Sequence, residues 1–233
     1  MDFRAENKYI VSDMDLKILE SRLKPVMSQD IHQEGDCYEV RSIYLDDIKN
    51  SSMLDNDAGV DLRSKYRIRT YYPGLSELRL EIKEKINGFN RKSSCKLSVE
   101  EFRKIIKGEH DIPFGKRKVL NRLLLNMKCF KMEPKVIISY ERTAFVHSAG
   151  NVRITFDRNI SASKYIDTFL DEKADLRIPV LPKGMHILEV KYDEFLPDFI
   201  AKQLELGKLN QTAFSKYYLG RIALGEDCKR LPL

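Results

Sequence analysis

Several short stretches of this chain alternate apolar residues with cations and carboxylates, and phosphate chemistry is the use that such a mixture suits. In Lys65-Tyr66-Arg67-Ile68-Arg69-Thr70 every second residue is basic. Leu78 to Lys85 sets Leu78, Leu80 and Ile82 against Arg79, Glu81, Lys83 and Lys85. Val152 to Asp157 sets Val152, Ile154 and Phe156 against Arg153, Thr155 and Asp157. In Leu188-Glu189-Val190-Lys191-Tyr192 the apolar set opposes Glu189 and Lys191. Pro134 to Arg142 is more apolar and ends in Tyr140-Glu141-Arg142. Side chains alternate faces on a strand, so each stretch carries one greasy and one charged face. Guanidinium forks grip phosphate oxygens at two points, and carboxylates hold divalent cations.

The elements that position these residues follow from capping and periodicity. Ser12-Asp13-Met14-Asp15 opens a helix, Leu16, Leu19 and Leu23 recur at helical spacing, and Pro25 marks its far end. Ser98-Val99-Glu100-Glu101 opens a second, with Phe102, Ile105 and Ile106 on its apolar side. Lys116 to Lys128 is a Leu-rich third, Phe199 to Leu206 a short fourth, and Ala213 to Leu224 a last helix with Thr212 as its expected N-cap. Asp55-Asn56-Asp57-Ala58-Gly59 imitates the start of a calcium loop, but Gly59 comes one place early and Tyr66 stands where the bidentate Glu belongs, so it is expected to be an ordinary loop.

On pattern alone the strands describe a half-buried antiparallel sheet whose charged face meets water. Two details favour a different arrangement. Helices with apolar stripes are on hand to cover the greasy face, and the charged face concentrates closely spaced arginines with single glutamates. If the sheet closes into a barrel, that face points inward. Packed cations become tolerable there only with an anionic guest and water. A triphosphate-like polyanion, with a divalent metal on the carboxylates, matches.

Composition narrows the rest. Lys and Arg number 41 against 35 Asp and Glu, a net +6 that permits an anionic partner without identifying one. No basic run interleaved with aromatics supports nucleic-acid binding, so no nucleic-acid partner is expected. Cys37, Cys95, Cys129 and Cys228, like His32, His110, His147 and His186, are scattered without metal-binding spacing. HExxH, GxSxG, GxGxxG and P-loop motifs are absent. The start, Met1-Asp2-Phe3-Arg4-Ala5-Glu6, lacks the apolar stretch of a signal peptide, and no apolar run reaches membrane-spanning length. The expectation is a cytoplasmic protein. With no repeat or linker, residues 1–233 are expected to form one domain.

Taken in order, these segments resemble the VTC domain (vacuolar transporter chaperone, polyphosphate polymerase) of the triphosphate tunnel metalloenzymes. The landmarks are Phe3-Arg4-Ala5-Glu6-Asn7-Lys8-Tyr9, Val40-Arg41-Ser42-Ile43-Tyr44-Leu45-Asp46, Arg67-Ile68-Arg69-Thr70-Tyr71, Glu81-Ile82-Lys83 with Lys92, Tyr140-Glu141-Arg142-Thr143-Ala144-Phe145, Val152-Arg153-Ile154-Thr155-Phe156-Asp157, Leu188-Glu189-Val190-Lys191-Tyr192 and Phe214-Ser215-Lys216-Tyr217. The resemblance implies an α+β fold: a closed antiparallel β-barrel, the triphosphate tunnel, with helices packed outside. It implies transfer of the ATP γ-phosphate onto polyphosphate with Mn²⁺ or Mg²⁺. Lys8, Arg67, Arg69, Lys83, Lys92, Arg142, Arg153, Lys191, Ser215 and Lys216 would grip phosphates, with Arg67, Arg69, Arg142 and Lys216 closest to the chemistry. Glu189 would be the metal ligand, with Glu6 and Glu81 as further candidates.

The rival readings are a tunnel-fold triphosphatase or nucleoside triphosphatase and a non-catalytic polyphosphate-binding module. Hydrolases of this fold open on ExExK, and here Arg4 replaces the first glutamate, which argues against hydrolysis. Ala213 stands where polymerases of the family tend to carry a lysine. ATP and polyphosphate are the expected partners, and any membrane anchor would come from a partner protein.

Overall fold

A computed structural model of the 233-residue chain describes residues 5–31, 33, 35–72, 77–86, 89–109, 111–171, 176–207 and 209–226. Phe3, Arg4, His32, His110 and Cys228, named above, lie outside the described residues. Among the described residues the strands are β1 (Ala5–Ser12), β2 (Ser28–Gln29), β3 (Tyr38–Asp46), β4 (Arg63–Tyr72), β5 (Leu78–Ile86), β6 (Phe89–Leu97), β7 (Glu133–His147), β8 (Val152–Ser163), β9 (Ile178–Pro179) and β10 (Met185–Tyr192). The α-helices among the described residues are α1 (Asp13–Leu23), α2 (Ser51–Asp57), α3 (Val99–Ile106), α4 (Lys118–Phe130), α5 (Asp198–Gln203) and α6 (Lys216–Ala223). The strand order is β1-β10-β8-β7-β3-β4-β5-β6, with β2 on β7 and β9 on β8. The α+β class expected from the sequence is therefore present. The path ends at β1 and β6, and no pairing between those two joins them among the described residues, so the expected barrel closure is not part of the described sheet.

Two compact units divide the chain. The first comprises residues 1–39, 140–160 and 181–214. Here β1 pairs antiparallel with β10, placing Lys8 opposite Glu189 and Glu6 opposite Lys191. In turn, β10 pairs with β8, placing Glu189 opposite Thr155 and Lys191 opposite Arg153. Directly opposed residues share a face, so these polar groups lie together. The other face is apolar: Val11, Ile154, Phe156, Leu188 and Val190 pack with Leu16, Leu19 and Leu23 of α1 and Ile200 of α5. Each fully buried side chain of this kind stabilises the unit by about 1.5–3 kcal/mol. The expected capping box opens α1, with Asp15 N–H donating to Ser12 Oγ at 3.2 Å and Ser12 N–H donating to Asp15 Oδ2 at 2.9 Å.

The second unit comprises residues 40–139, 161–180 and 215–233. Its β4, β5 and β6 form an antiparallel meander. Ile68, Leu80 and Ile82 turn to a core filled by Phe102 and Ile105 of α3 and Leu120, Leu123 and Met127 of α4. The opposite face carries the charge.

Two expectations need correction. Asp55, Asn56 and Asp57 of the expected loop belong instead to helix α2. Its N-cap, Asn50, has left-handed backbone (φ 55°) and makes no side-chain cap. First-turn N–H groups are satisfied from outside the helix: Ser52 donates to Asp46 Oδ1 at 3.0 Å and Met53 to Asp46 Oδ2 at 3.1 Å. The last helix begins at Lys216 rather than Ala213, and Ser215 rather than Thr212 is its cap. Thr212 is engaged elsewhere, since its N–H donates to the Lys8 carbonyl at 2.8 Å, drawing that segment alongside β1.

Candidate functional site

The charged faces of the two units each gather expected residues. In the second unit the meander aligns lysines in a row across three strands: Lys65 lies opposite Lys83, and Lys83 opposite Lys92. Like charges directly opposed on a sheet are destabilising. One register step along, Arg67 lies opposite Glu81 and Glu81 opposite Ser94. Glu81 is 1 % exposed and collects cations. Arg67 reaches its Oε2 through Nε and Nη2, both at 2.7 Å. Arg69 Nη1 lies 3.8 Å from the same oxygen, and Lys92 pairs with Oε1. Burial opposes the Glu81 charge, but Arg67, Arg69 and Lys92 outweigh it and hold this carboxyl far below the usual range.

Tyr44 of β3 marks the sign of the field. Its hydroxyl accepts from Arg67 Nη1 at 3.2 Å. Burial alone drives a phenol pKa upward, yet Arg67, Arg69 and Lys216 pull this one below its ordinary value. Negative charge is therefore stabilised at that oxygen despite desolvation. The Tyr44 ring stacks on Tyr217 of α6, with centroids 5.2 Å apart. Tyr217 donates to Asp46 Oδ2 at 2.6 Å and receives Arg221 Nη1 at 2.7 Å, which fixes the start of α6 and with it Ser215 and Lys216. The Ser215 hydroxyl lies 2.8 Å from Lys65 Nζ and accepts from Tyr218 N–H.

In the first unit, Lys8 Nζ lies 3.2 Å from Glu6 and 3.9 Å from Glu189. Lys191 Nζ lies 3.2 Å from Glu189 and 3.9 Å from Glu6. Two carboxylates on adjacent strands thus share two ammonium groups. Arg142 on β7 binds Asp157 at two points, 2.6 Å and 2.7 Å, and its Nη2 lies 3.7 Å from Glu189 Oε2. Burial works against the Arg142 charge, but Asp157 foremost overrides it and raises the pKa. Arg153 pairs with Asp30 and lies 3.4 Å from the Tyr38 hydroxyl.

All thirteen expected residues therefore fall into two sets. Glu6, Lys8, Arg142, Arg153, Glu189 and Lys191 belong to the first unit, and Arg67, Arg69, Glu81, Lys83, Lys92, Ser215 and Lys216 to the second. Sequence reasoning passed over Asp157, Asp30, Lys65 and Tyr44, which hold or extend these sets. Lys65 was legible, since it stands two places before Arg67 on one strand face.

The donor set can be weighed against a divalent ion. Among the described residues no three or more His, Cys, Asp or Glu side chains come together as a cage. Glu6 and Glu189 offer oxygen donors of the kind that hard ions such as Mg²⁺ or Mn²⁺ take, one or two carboxylates completed by water and phosphate, and Lys8 and Lys191 engage both of them. Glu81 is already engaged by Arg67, Arg69 and Lys92. Among the described residues no helix is long and apolar enough to cross a membrane.

Three solved structures share this fold at low identity. A protein from Hippeastrum, assigned as an adenylyl cyclase and noted for a dominant triphosphatase activity, is 12 % identical at a TM-score of 0.56, with 95 % of this chain and 96 % of that chain covered. A Bacillus halodurans protein assigned as an adenylate cyclase is 15 % identical at 0.55, covering 92 % and 94 %. A Pyrococcus horikoshii protein is 14 % identical at 0.51, covering 93 % and 97 %. No curated protein sequence matches significantly. The family model for the VTC domain matches residues 3–224, and its span takes in both charged sets, so the chain belongs to the VTC domain family.

Proposed function

We propose that the protein is a metal-dependent polyphosphate polymerase that transfers the γ-phosphate of ATP to a polyphosphate chain. The observation that carries this reading is the row Lys65–Lys83–Lys92 beside the Arg67–Glu81–Arg69 cluster. Cations there outnumber carboxylates on a single strand face, and the lowered Tyr44 pKa reports a field that favours an anion. A chain of phosphates supplies repeated negative charge along such a row.

The chemistry needs little from the protein beyond placement and charge. A terminal phosphate oxygen of the chain, already ionised, attacks the γ-phosphorus, and the bond to the bridging oxygen breaks, leaving ADP with the electron pair. No general base is required. Arg67, Arg69, Lys83 and Lys92 would grip the chain in the second unit, with Ser215 and Lys216 at the start of α6. Lys8, Lys191, Arg142 and Arg153 would serve the first unit. Glu189 with Glu6 would hold Mg²⁺ or Mn²⁺, which neutralises phosphate charge when bound. A sheet closed as a tunnel, residues 1–233 working as one domain, a cytoplasmic setting and a membrane-protein partner all belong to this proposal.

The test is a product assay with ATP and Mn²⁺ or Mg²⁺, with and without a short polyphosphate primer, beside Glu189→Gln. Long polymer that needs metal and disappears in the variant is the expected result. Orthophosphate without polymer would make the protein a triphosphatase. Polyphosphate binding that depends on Arg67 and Arg69, without either product, would make it a binding module.

A further inference from the structure

A cavity of about 750 Å³ opens in the first unit where β7 ends and β8 begins. Its walls include Val26, Ser28, Val146, Ser148, Asn151 and Arg153. Small-molecule sites commonly run ~300–1,000 Å³, and this wall sets apolar Pro25, Val26, Met27, Val146 and Val152 beside polar side chains, His147 among them.

The cavity is continuous with the charged face. Val146 and Arg142 stand four apart on β7 and share a face, as do Arg153 and Asp157 on β8. Arg142 grips Asp157, so the two faces are one. Arg153 also lies opposite Lys191, which pairs with Glu189. One residue thus belongs both to the cavity wall and to the set expected to hold phosphate.

The wall chemistry says which end of a ligand it would take. Among the described residues Arg153 is its one Lys or Arg, and Asp30 balances that charge. A polyanion finds little attraction there. A neutral, flat, partly apolar group with hydrogen-bonding edges finds apolar side chains, two serine hydroxyls, an amide and the His147 imidazole. We propose that the cavity receives the nucleoside end of the nucleotide substrate, with Arg153 at the junction to the phosphates. This rests on the polymerase reading and deepens it: the enzyme would recognise the base and sugar of its donor as well as the phosphates.

The test compares ATP with tripolyphosphate by calorimetric titration of the full chain and of Ser148→Trp, an exposed turn position whose indole would fill the space. ATP binding should weaken by about tenfold or more while tripolyphosphate changes by less than about twofold. Equal losses of both ligands, or unchanged ATP binding, overturn the inference and leave the phosphate reading standing. Wild-type protein that binds neither ligand sinks both. Should Ser148→Trp fail to fold, Ser28→Trp fills the same space from another strand. An independent readout is photolabelling with 8-azidoadenosine triphosphate: label within residues 25–28 or 146–153 is expected, and label confined elsewhere overturns the assignment.

Discussion

Arg142 and Asp157 form a buried two-point ion pair, and the same guanidinium lies 3.7 Å from Glu189. Asp157 is fully buried. The arginine therefore holds the sheet together as well as facing the charged set. Removing it takes the two-point partner from a buried carboxylate. Arg142→Ala should cost about 3–5 kcal/mol, read as a lower urea midpoint. A loss of phosphate binding at unchanged stability would instead assign Arg142 to the ligand alone.

Glu81 makes the second unit acid-sensitive. Its carboxyl is held low by Arg67, Arg69 and Lys92, against its burial, whereas in the unfolded chain it titrates near ~4.3. Below that value the unfolded state binds the proton that the folded state refuses, so stability rises with pH. The contribution is fully present above the unfolded pKa and is lost as pH falls toward the folded one. Urea melts of Glu81→Gln and wild type should accordingly converge as pH drops from 6 to 3. A constant difference across that window would show that the carboxylate charge is not what the arginines stabilise.

The Tyr44 phenol offers an optical probe of the basic cluster. Alkaline difference spectra of wild type against Tyr44→Phe should contain one phenol ionising below the ordinary ~10. Tripolyphosphate should push that ionisation back up by offsetting Arg67, Arg69 and Lys216. A transition indifferent to added phosphate would place the anion elsewhere.

Lys83 separates stability from binding. It stands directly opposite Lys65 on one side and Lys92 on the other. Lys83→Met should stabilise the ligand-free protein by about 0.2–1 kcal/mol, the scale of a directly opposed cross-strand pair. The same change should weaken polyphosphate binding and flatten its salt dependence. A variant that is less stable and binds as before would contradict the charge-row argument.

The two-faced strands were legible because period-two alternation is a local property of the chain, and so were Arg67, Arg69, Glu81 and Glu189, which ride on it. The counter-ions were not. Asp157 pairs with Arg142 across 15 residues and Asp30 with Arg153 across 123, and no local pattern announces such partners. Helix α2 escaped for a related reason: its N-terminal cap is the carboxylate of Asp46, outside the helix, while Asn50 lacks the side-chain bond that sequence reasoning looks for. The start of α6 was misplaced because Thr212 has a cap residue's chemistry but lies in the segment bridged to β1, and the Ser215 side chain does the capping three residues on.

The pairing of β1 with β10 has a consequence for how the molecule is made. Of the described strands, Ala5–Ser12 leaves the ribosome before any other and its partner Met185–Tyr192 after all the rest. The β4-β5-β6 meander, by contrast, is joined by short connections within one stretch of chain. Local hairpins close faster than contacts across the whole chain length. The lysine row should therefore assemble early, while the first strand stays open until the end. Pulse-labelled hydrogen exchange during refolding should protect Arg67 and Ile82 amides before those of Lys8 and Glu189, and raising ionic strength should speed the early phase more than the late one.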